Sequence, residues 1–332
     1  MSKANETVLI ISFTFEQEPD AFEVLRQGGF TPLLWAEKER KNATENDLTD
    51  YWNNIEDKQK PTGIIIGADI AIGEKFLQQA KGLKAISLNC AGYEHLNTDA
   101  LKRYGVRASN VPRQNFNAVA DLAWGQIISL MRRIPQGDKN IRAGKWVDGV
   151  ERGMAVSHKT IGIIGLGAIG KAVAKRAAGF DMDIIANDKF SDEFQEQGQP
   201  YKLRFVSRQE LFEQADIIVL CCPSTAETRH IINSDSIEAM KKSAVIINPS
   251  RGDLIDTKAL IQALKSGRIA GAALDVFEGE PIYESELFAL ENTVLTPHMG
   301  GLADREIRNV AVQSAKNMVE MLTKPDSAIG LV

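Results

Sequence analysis

Short apolar runs alternate with helical patterns along most of the chain, and this alternation limits the folds available to it. Runs rich in Val and Ile predict strands at VLIIS (8–12), GIIIG (63–67) and LKAISLN (83–89). Beyond residue 159 the pattern is more regular and predicts strands near 160–164, 183–187, 216–221, 244–248, 270–275 and 293–296. Apolar strands with little polar alternation are typical of a parallel sheet covered by helices on both faces. The sequence therefore predicts a doubly wound α/β fold.

The alternation falls into two series, and 332 residues are enough for two domains of ordinary size. The first series covers 1–108, and we expect the last helix, within 302–332, to belong to it. The second covers 109–301 and opens with a helix at 116–131 that is apolar almost all round and should be buried. We predict two Rossmann-like domains with parallel sheets and an active site in the cleft between them.

Composition excludes several classes of protein. The apolar fraction of 44% and the charged fraction of 25% fit a globular protein. The net charge is −5 and the sequence has no basic run, so it offers no positively charged surface for nucleic acid. The N-terminal segment MSKANETVLIISFTF is a poor signal peptide, and no apolar helix is long enough to span a bilayer. Cys90, Cys221 and Cys222 form neither a disulfide framework nor a metal-binding pattern. We expect a cytoplasmic protein without metal.

The segment GLGAIG follows an apolar run and opens a helical pattern, as in dinucleotide-binding folds. Gly165 permits a tight turn, Gly167 lets a pyrophosphate approach the backbone, and Gly170 lets the helix pack closely on the strand. The next strand ends at Asp188, about 20 residues further on, where a carboxylate can bind the ribose hydroxyls. It would repel a 2′-phosphate, so NAD(H) is favoured over NADP(H). The alternative, a purely structural turn, explains less of this context.

Three chemically useful side chains follow three successive predicted strands. Arg251 can pair with a carboxylate, and His298 can exchange a proton near neutral pH while Glu280 holds its tautomer and charge. Taken one at a time, they could be a surface Arg that caps a loop, a surface acid and a loop His. Their order along the chain favours an active site. His95, His158 and His230 lack such a context.

Over nearly its full length the chain resembles the D-isomer-specific 2-hydroxyacid dehydrogenases. The resemblance is carried by GIIGLGAIG, ADIIVLCCPSTAETRHIIN, INPSRGDLIDTKAL, AGAALDVFEGEP and TVLTPHMGG. It implies that Arg251 binds the carboxylate and carbonyl of the substrate and that His298, partnered by Glu280, is the general acid and base. Formate dehydrogenases of this superfamily carry Gln in place of Glu280, so that activity is disfavoured.

The same resemblance implies a cofactor site for NAD(H) and a substrate loop in the first domain. The cofactor residues would be Gly165, Gly167, Ala168, Ile169, Gly170, Asp188, Cys222, Pro223, Thr228, Pro249, Ser250, Asp275 and Gly300. In the substrate-binding, flavodoxin-like domain the loop candidates are Ala91 and Gly92, with Asn115 near the substrate. A simple turn explains this loop almost as well. Asp121 stands where the family usually has Glu.

The resemblance leaves the substrate open between glyoxylate or hydroxypyruvate and 3-phosphoglycerate. A phosphorylated substrate should require extra basic residues, whereas IIIGADIAIGEKF offers only Lys75, although Arg113 could serve. The chain ends soon after its last helix, so we expect no appended regulatory domain. A different class, a corepressor that senses NAD(H) without catalysis, is the alternative. Relatives bury the segment matching 142–159 in a two-fold interface, which predicts a homodimer.

Overall fold

The computed structural model describes residues 6–68, 70–191, 201–324, 326 and 330–331. The first five residues of the N-terminal segment discussed above, and Asp69 in the loop around Lys75, lie outside the described residues. The chain forms two compact units, residues 1–115 with 302–332, and residues 116–301. We call them unit 1 and unit 2.

Unit 1 contains a five-stranded sheet in which every pairing is parallel. The strands are β1 (Glu6–Ile11), β2 (Phe30–Leu34), β3 (Pro61–Ile66), β4 (Ala85–Leu88) and β5 (Arg107–Ser109), in the order β2-β1-β3-β4-β5. This is the flavodoxin-like order. Its helices are α1 (Phe13–Glu16), α2 (Pro19–Gln27), α3 (Glu45–Asn54), α4 (Glu74–Gln79), α5 (Thr98–Tyr104) and α12 (Asp304–Thr323).

Unit 2 contains a seven-stranded sheet, also parallel throughout. Its strands are β6 (Thr160–Ile164), β7 (Asp183–Asn187), β8 (Arg204–Phe205), β9 (Ile217–Leu220), β10 (Val245–Asn248), β11 (Gly271–Leu274) and β12 (Thr293–Leu295). The spatial order of the strands is β12-β11-β10-β9-β6-β7-β8. The chain adds strands on one side of β6 as far as β8 and then crosses to the other side for β9 to β12, so the switch point lies between β6 and β9, as in Rossmann folds. Its helices are α6 (Phe116–Met131), α7 (Ile134–Arg142), α8 (Ala168–Ala177), α9 (Arg208–Gln214), α10 (Ser234–Ala239) and α11 (Thr257–Ser266).

The apolar strands are explained by cores on both faces of each sheet. Along β9, Ile217 and Val219 enter one core of unit 2, while Ile218 and Leu220 enter the other. Along β3 of unit 1, Ile64 and Ile66 enter one core and Ile65 enters the opposite one. Because side chains alternate between faces, a strand buried on both sides reads as one continuous apolar run. The prediction of doubly wound parallel sheets is confirmed.

Residues 109–115, which we expected to open the second domain, contact unit 1 instead. Asn110 donates from Nδ2 to the Ala91 carbonyl at 2.6 Å, and the Val111 N–H donates to the Cys90 carbonyl at 2.9 Å. Asn317 of α12 donates to the Asn110 carbonyl at 3.2 Å. These bonds extend unit 1 to Asn115, and the apolar helix α6 then begins unit 2.

Candidate active site

Seven strands of unit 2 run in one direction, so the loops that follow them emerge at the same edge of the sheet. Arg251 follows β10, Glu280 follows β11 and His298 follows β12, and these three strands are neighbours. The Gly-rich turn follows β6 and Asp188 follows β7. The carboxyl edge of an open α/β sheet is where ligands bind. The structure therefore gathers the candidates of unit 2 at the edge where chemistry is expected.

Glu280 and His298 form a close pair. His298 Nδ1 lies 2.6 Å from Glu280 Oε2, and Glu280 Oε1 accepts the Phe277 N–H at 2.6 Å. The His298 backbone N–H donates to the Asp275 carbonyl at 2.7 Å. With Nδ1 committed to Glu280, Nε2 is the ring nitrogen that can reach a substrate. The side chain of His298 is 51% exposed, so a ligand can approach it.

The electrostatic surroundings favour the ion pair of protonated His298 and ionised Glu280. The hydrogen bond to Glu280 raises the pKa of His298, with added help from the charges of Glu280 and Asp275, against opposition from burial and from Arg251. Burial alone would raise the pKa of Glu280, but the hydrogen bond and charge of His298 lower it. A His with a raised pKa keeps its proton closer to neutral pH, as a proton donor for a carbonyl oxygen must.

Arg251 is placed by close packing of its neighbour, Gly252. A Cβ at Gly252 would lie within 2.6 Å of the backbone of Phe277 and Glu278, so no side chain fits there. The loop that carries Arg251 therefore lies against the loop that carries Glu280. The positive charge of Arg251 lowers the pKa of both Glu280 and His298, as the smallest of the named contributions. Arg251, Glu280 and His298 are thus carried by the loops of three neighbouring strands at one edge of unit 2.

Asp275 is a buried anchor for the loop that holds His298. It is 1% exposed, and its Oδ1 accepts bonds from the Thr296 hydroxyl at 2.5 Å and the Met299 N–H at 2.9 Å. Its Oδ2 accepts the Gly300 N–H at 2.8 Å. The loop thus folds around one carboxylate, which fixes the backbone of His298 in its left-handed conformation, φ +50°. Such a conformation is uncommon outside glycine and is often found at functional sites.

The Gly-rich turn fits a dinucleotide. Gly165 has φ +92°, and a Cβ there would lie 2.7 Å from the Cys221 carbonyl oxygen, so a side chain would disrupt the turn. A Cβ at Gly167 would meet nothing within 4 Å, which leaves open space at the N-terminus of α8. No side chain caps that helix, which Ala168, Ile169 and Gly170 begin. Its first N–H groups and positive dipole end can receive a pyrophosphate.

Asp188 lies beside this turn. Its Oδ2 accepts the Leu166 N–H at 2.5 Å and its Oδ1 accepts the Phe190 N–H at 2.7 Å. Each carboxylate oxygen keeps acceptor capacity for a ribose hydroxyl.

A hydrogen bond joins two further candidate segments of the cofactor site, Cys222-Pro223 in the loop after β9 and Pro249-Ser250 in the loop after β10. The hydroxyl of Ser250, which follows Pro249, donates to the Cys222 carbonyl at 2.8 Å. Thr228 donates from its hydroxyl to the Pro223 carbonyl at 2.7 Å. Burial raises the pKa of Cys221, and it raises the pKa of Cys222 to about 11. Neither thiol is a ready nucleophile, so both are structural here.

The candidates of unit 1 lie in and after the loop that follows β4. Ala91 and Gly92 are half-buried, and their carbonyls accept bonds from Asn110 Nδ2 and Cys90 Sγ. Asn115 is the half-buried last residue of the unit's first segment. No group of three or more His, Cys, Asp or Glu among the described residues is placed to hold a metal ion.

Sequence reasoning missed a second His–Glu pair in unit 2. His230 Nε2 lies 2.7 Å from Glu278 Oε1. The only signal in the sequence is that Glu278 stands two residues before Glu280, and spacing alone does not identify the distant partner. Thr296 and Gln126 were also missed, although Gln126 donates to the Thr296 hydroxyl at 2.9 Å behind Asp275.

A Rossmann unit that carries this turn, a His–Glu pair and an Arg at the carboxyl edge of its sheet has the parts expected of a nicotinamide-dependent dehydrogenase. Residues 124–300 match the family model described as D-isomer specific 2-hydroxyacid dehydrogenase, NAD binding domain. The chain is 39% identical over 258 residues to a glyoxylate reductase from Pyrococcus horikoshii, covering 75% of this chain and 76% of that one. It is 38% identical over 256 residues to a glyoxylate/hydroxypyruvate reductase from Arabidopsis thaliana, covering 76% and 78%.

A solved structure extends the match to the whole fold. The crystal structure of a glyoxylate reductase from Paecilomyes thermophila superposes with a TM-score of 0.80 at 29% identity, covering 97% of this chain and 96% of that one. The chain belongs to the D-isomer specific 2-hydroxyacid dehydrogenase family. It is an oxidoreductase that acts on a CH–OH group with NAD(H), and these comparisons give no support to the corepressor alternative. No helix in the described ranges has the length and apolar character needed to cross a membrane.

Proposed function

We propose that the protein reduces a small 2-keto acid, of the glyoxylate or hydroxypyruvate kind, to the corresponding 2-hydroxy acid, with the D configuration where the product is chiral, and that the reaction is reversible. The observation that carries this is the Glu280–His298 pair, together with the close packing of the Arg251 loop, at Gly252, against the loop that carries Glu280. The relatives named as glyoxylate reductases support the choice of substrate class. We further propose unit 1 as the substrate-binding domain, with Ala91, Gly92 and Asn115 near the substrate carboxylate.

In this proposal each residue has one task. NADH, when bound, supplies the hydride that adds to the carbonyl carbon of the substrate. Arg251 binds the substrate carboxylate and carbonyl oxygen and so orients the carbon for attack. His298 gives its Nε2 proton to the carbonyl oxygen as that oxygen gains negative charge, and Glu280 stabilises the imidazolium through Nδ1. In the reverse direction neutral His298 accepts the hydroxyl proton.

A phosphorylated substrate is the competing choice, and the surroundings of Lys75 argue against it. The ammonium of Lys75 donates to Asn46 Oδ1 at 2.7 Å and is therefore already engaged on the surface of unit 1. Arg113 is exposed and has φ +62°. A doubly charged phosphate normally recruits several cationic donors, so 3-phosphoglycerate is the less favoured substrate.

The test is steady-state NADH oxidation with glyoxylate, hydroxypyruvate, pyruvate and 3-phosphohydroxypyruvate at equal concentrations. We expect kcat/KM to be highest for glyoxylate or hydroxypyruvate. His298→Ala, prepared in parallel, controls for contaminating reductases and should be inactive on all four compounds. Preference for 3-phosphohydroxypyruvate would contradict the proposed substrate, and no turnover with any keto acid would contradict the activity itself.

We also propose a homodimer formed through α7 and the segment after it. Ile134 and Ile141 of α7 are 49% and 56% exposed, and Trp146 and Val147 are 73% and 70% exposed. Four large, exposed apolar side chains within 14 residues of sequence are typical of an interface. Light scattering at micromolar concentration should give a dimer that Trp146→Glu weakens, whereas Tyr104→Glu in unit 1 should not. A monomeric wild type would refute this.

Cytoplasmic location is the last part of the proposal. Cys90, Cys221 and Cys222 are thiols rather than disulfides. Reduced thiols are maintained in the cytosol. Subcellular fractionation should recover the protein with cytosolic markers, and recovery with a secreted or membrane fraction would contradict this.

A further inference from the structure

The pair His230–Glu278 ties together loops that are far apart in the sequence. Glu278 Oε1 lies 2.7 Å from His230 Nε2, and its Oε2 accepts the Thr257 N–H at 3.1 Å. His230 is in the loop after β9, Thr257 begins α11 after the Arg251 loop, and Glu278 is in the loop after β11. One carboxylate thus joins the loops of three neighbouring strands.

Backbone contacts reinforce the same junction. The His230 N–H donates to the Asp253 carbonyl at 2.8 Å. Ile232 and Ile255 form a parallel bridge, with the Ile232 N–H donating to the Leu254 carbonyl at 3.0 Å. The segment after His230 therefore runs alongside the segment that follows Arg251. Any shift of His230 would be passed to Arg251 through this short ladder.

The junction also borders the catalytic pair. Gly252 has no room for a Cβ against Phe277 and Glu278, and Glu280 is two residues further along. Burial alone would raise the pKa of Glu278, but the hydrogen bonds from Thr257 and His230 lower it, so the carboxylate stays ionised at neutral pH. The charges that shift the pKa of His298 belong to Glu280, Asp275 and Arg251. Glu278 is not among these charges, whereas its hydrogen bonds join the loops around the site.

We propose that His230 and Glu278 are positioning residues that fix the distance between Arg251 and the Glu280–His298 pair, so that one substrate can contact all three. The inference rests on the proposed roles of Arg251 and His298. It assigns a purpose to two side chains that need not touch the substrate. A displacement of about 1 Å of a substrate-orienting group can lower a rate by about 100-fold.

The test compares Glu278→Ala with Glu278→Gln in the full-length enzyme. Gln can still accept the Thr257 N–H and bond to His230, whereas Ala can do neither. We expect Glu278→Ala to lower kcat/KM for the keto acid by about tenfold or more, with the Kd for NADH within about twofold of wild type. Glu278→Gln should recover most of the loss. The pH dependence of both variants should keep the wild-type midpoint.

Two further variants separate positioning from a general loss of stability. Asp216 accepts the Thr160 N–H at 3.0 Å and pairs with Lys241 at 3.0 Å, so Asp216→Ala removes a comparable double contact before β9, at the opposite edge of the sheet. It should lower Tm without changing kcat/KM. His230 has φ +49°, which Asn tolerates, but Asn is too short to reach Glu278. His230→Asn keeps the Thr257 bond and should therefore lose about tenfold in kcat/KM, and it replaces Glu278→Ala if that variant fails to fold.

Several results would overturn the inference. The inference fails if kcat/KM of Glu278→Ala or His230→Asn is within about twofold of wild type. It also fails if Glu278→Gln loses as much kcat/KM as Glu278→Ala. Arg251→Ala, measured in the same assay, separates failure of this inference from failure of the proposed function. If Arg251→Ala is inactive while the Glu278 and His230 variants are active, only the inference fails. If Arg251→Ala itself remains active, the proposed function fails.

Discussion

Two His–Glu pairs in unit 2 have nearly the same geometry and are suited to different tasks. Nitrogen and oxygen are 2.6 Å apart in His298–Glu280 and 2.7 Å apart in His230–Glu278. Both His residues have a left-handed backbone, with φ +50° and φ +49°. The difference is the ring nitrogen that is used. His298 bonds through Nδ1, whereas His230 bonds through Nε2.

The choice of nitrogen decides what each imidazole can do. Nε2 lies at the tip of the ring, so His298 keeps its tip for a substrate while Glu280 holds the nitrogen nearer the backbone. His230 places its tip on Glu278, whose other oxygen bonds a helix N–H. The exposed fractions agree, with 51% for the His298 side chain and 34% for that of His230. A His–carboxylate pair is therefore not by itself a sign of acid–base catalysis.

The largest expected effect separates the two histidines directly. His298→Gln removes the proton donor and should lower kcat for keto-acid reduction by about 100-fold to 10,000-fold. His230→Asn should lose only about tenfold, since it disturbs position and not proton transfer. Single-turnover NADH oxidation measures both rates without interference from product release. Equal losses in the two variants would remove the distinction between the pairs.

Arg251 provides the next largest effect. Arg251→Ala leaves the substrate carboxylate without its partner, which should cost about 2–5 kcal/mol in transition-state binding. NADH affinity, followed by fluorescence titration, should stay near the wild-type value. Arg251→Lys keeps the charge but loses the two-pronged geometry and should recover only part of the activity. Near-normal activity of Arg251→Ala on every accepted keto acid would remove it from the site.

The smallest expected effect concerns the cofactor at the other end of the sheet's carboxyl edge. Asp188 should repel the 2′-phosphate of NADPH, so wild type should prefer NADH. Asp188→Ser should narrow that preference by about tenfold, equivalent to about 1.4 kcal/mol. The ratio of kcat/KM for the two cofactors measures it, and Asp183→Ser, at the exposed start of β7, is a matched control. Equal values in wild type would show that Asp188 does not face the ribose.

The fold was predictable where strands are buried on both faces. The continuous apolar runs of β6, β7, β9, β10 and β11 predicted these strands to within about one residue at each end. β2, β5 and β8 were missed, and each lies at the edge of a sheet, although the fourth edge strand, β12, was predicted. Edge strands bury less side-chain area and tolerate Pro32 or polar residues, so their sequences carry a weak pattern. The helix α7 was missed because its apolar residues are exposed instead of facing a core.

The site was predictable only where a chemically useful residue directly follows a predicted strand. Arg251, Glu280 and His298 each follow a predicted strand, so a parallel sheet brings them to one edge. His230 could not be predicted to meet Glu278, because the loop after β9 is long and its path depends on backbone bonds with Asp253 and Leu254. Gly252 could not be given its packing role either, since close approach is a property of the folded backbone.

The central claim is that Glu280, and not Glu278, sets the protonation of His298, the proposed proton donor. The direct test is kcat/KM against pH in both directions for wild type, Glu280→Gln and Glu278→Gln, with chemistry limiting the rate. Reduction needs protonated His298, so its rate falls as pH rises through that pKa, and oxidation rises over the same window. Because Glu280 raises the pKa of His298, Glu280→Gln should move the midpoints of both pH–rate profiles to lower pH, whereas Glu278→Gln should leave them unchanged. Midpoints that are unchanged or higher in Glu280→Gln, or that move equally in both variants, would contradict the account.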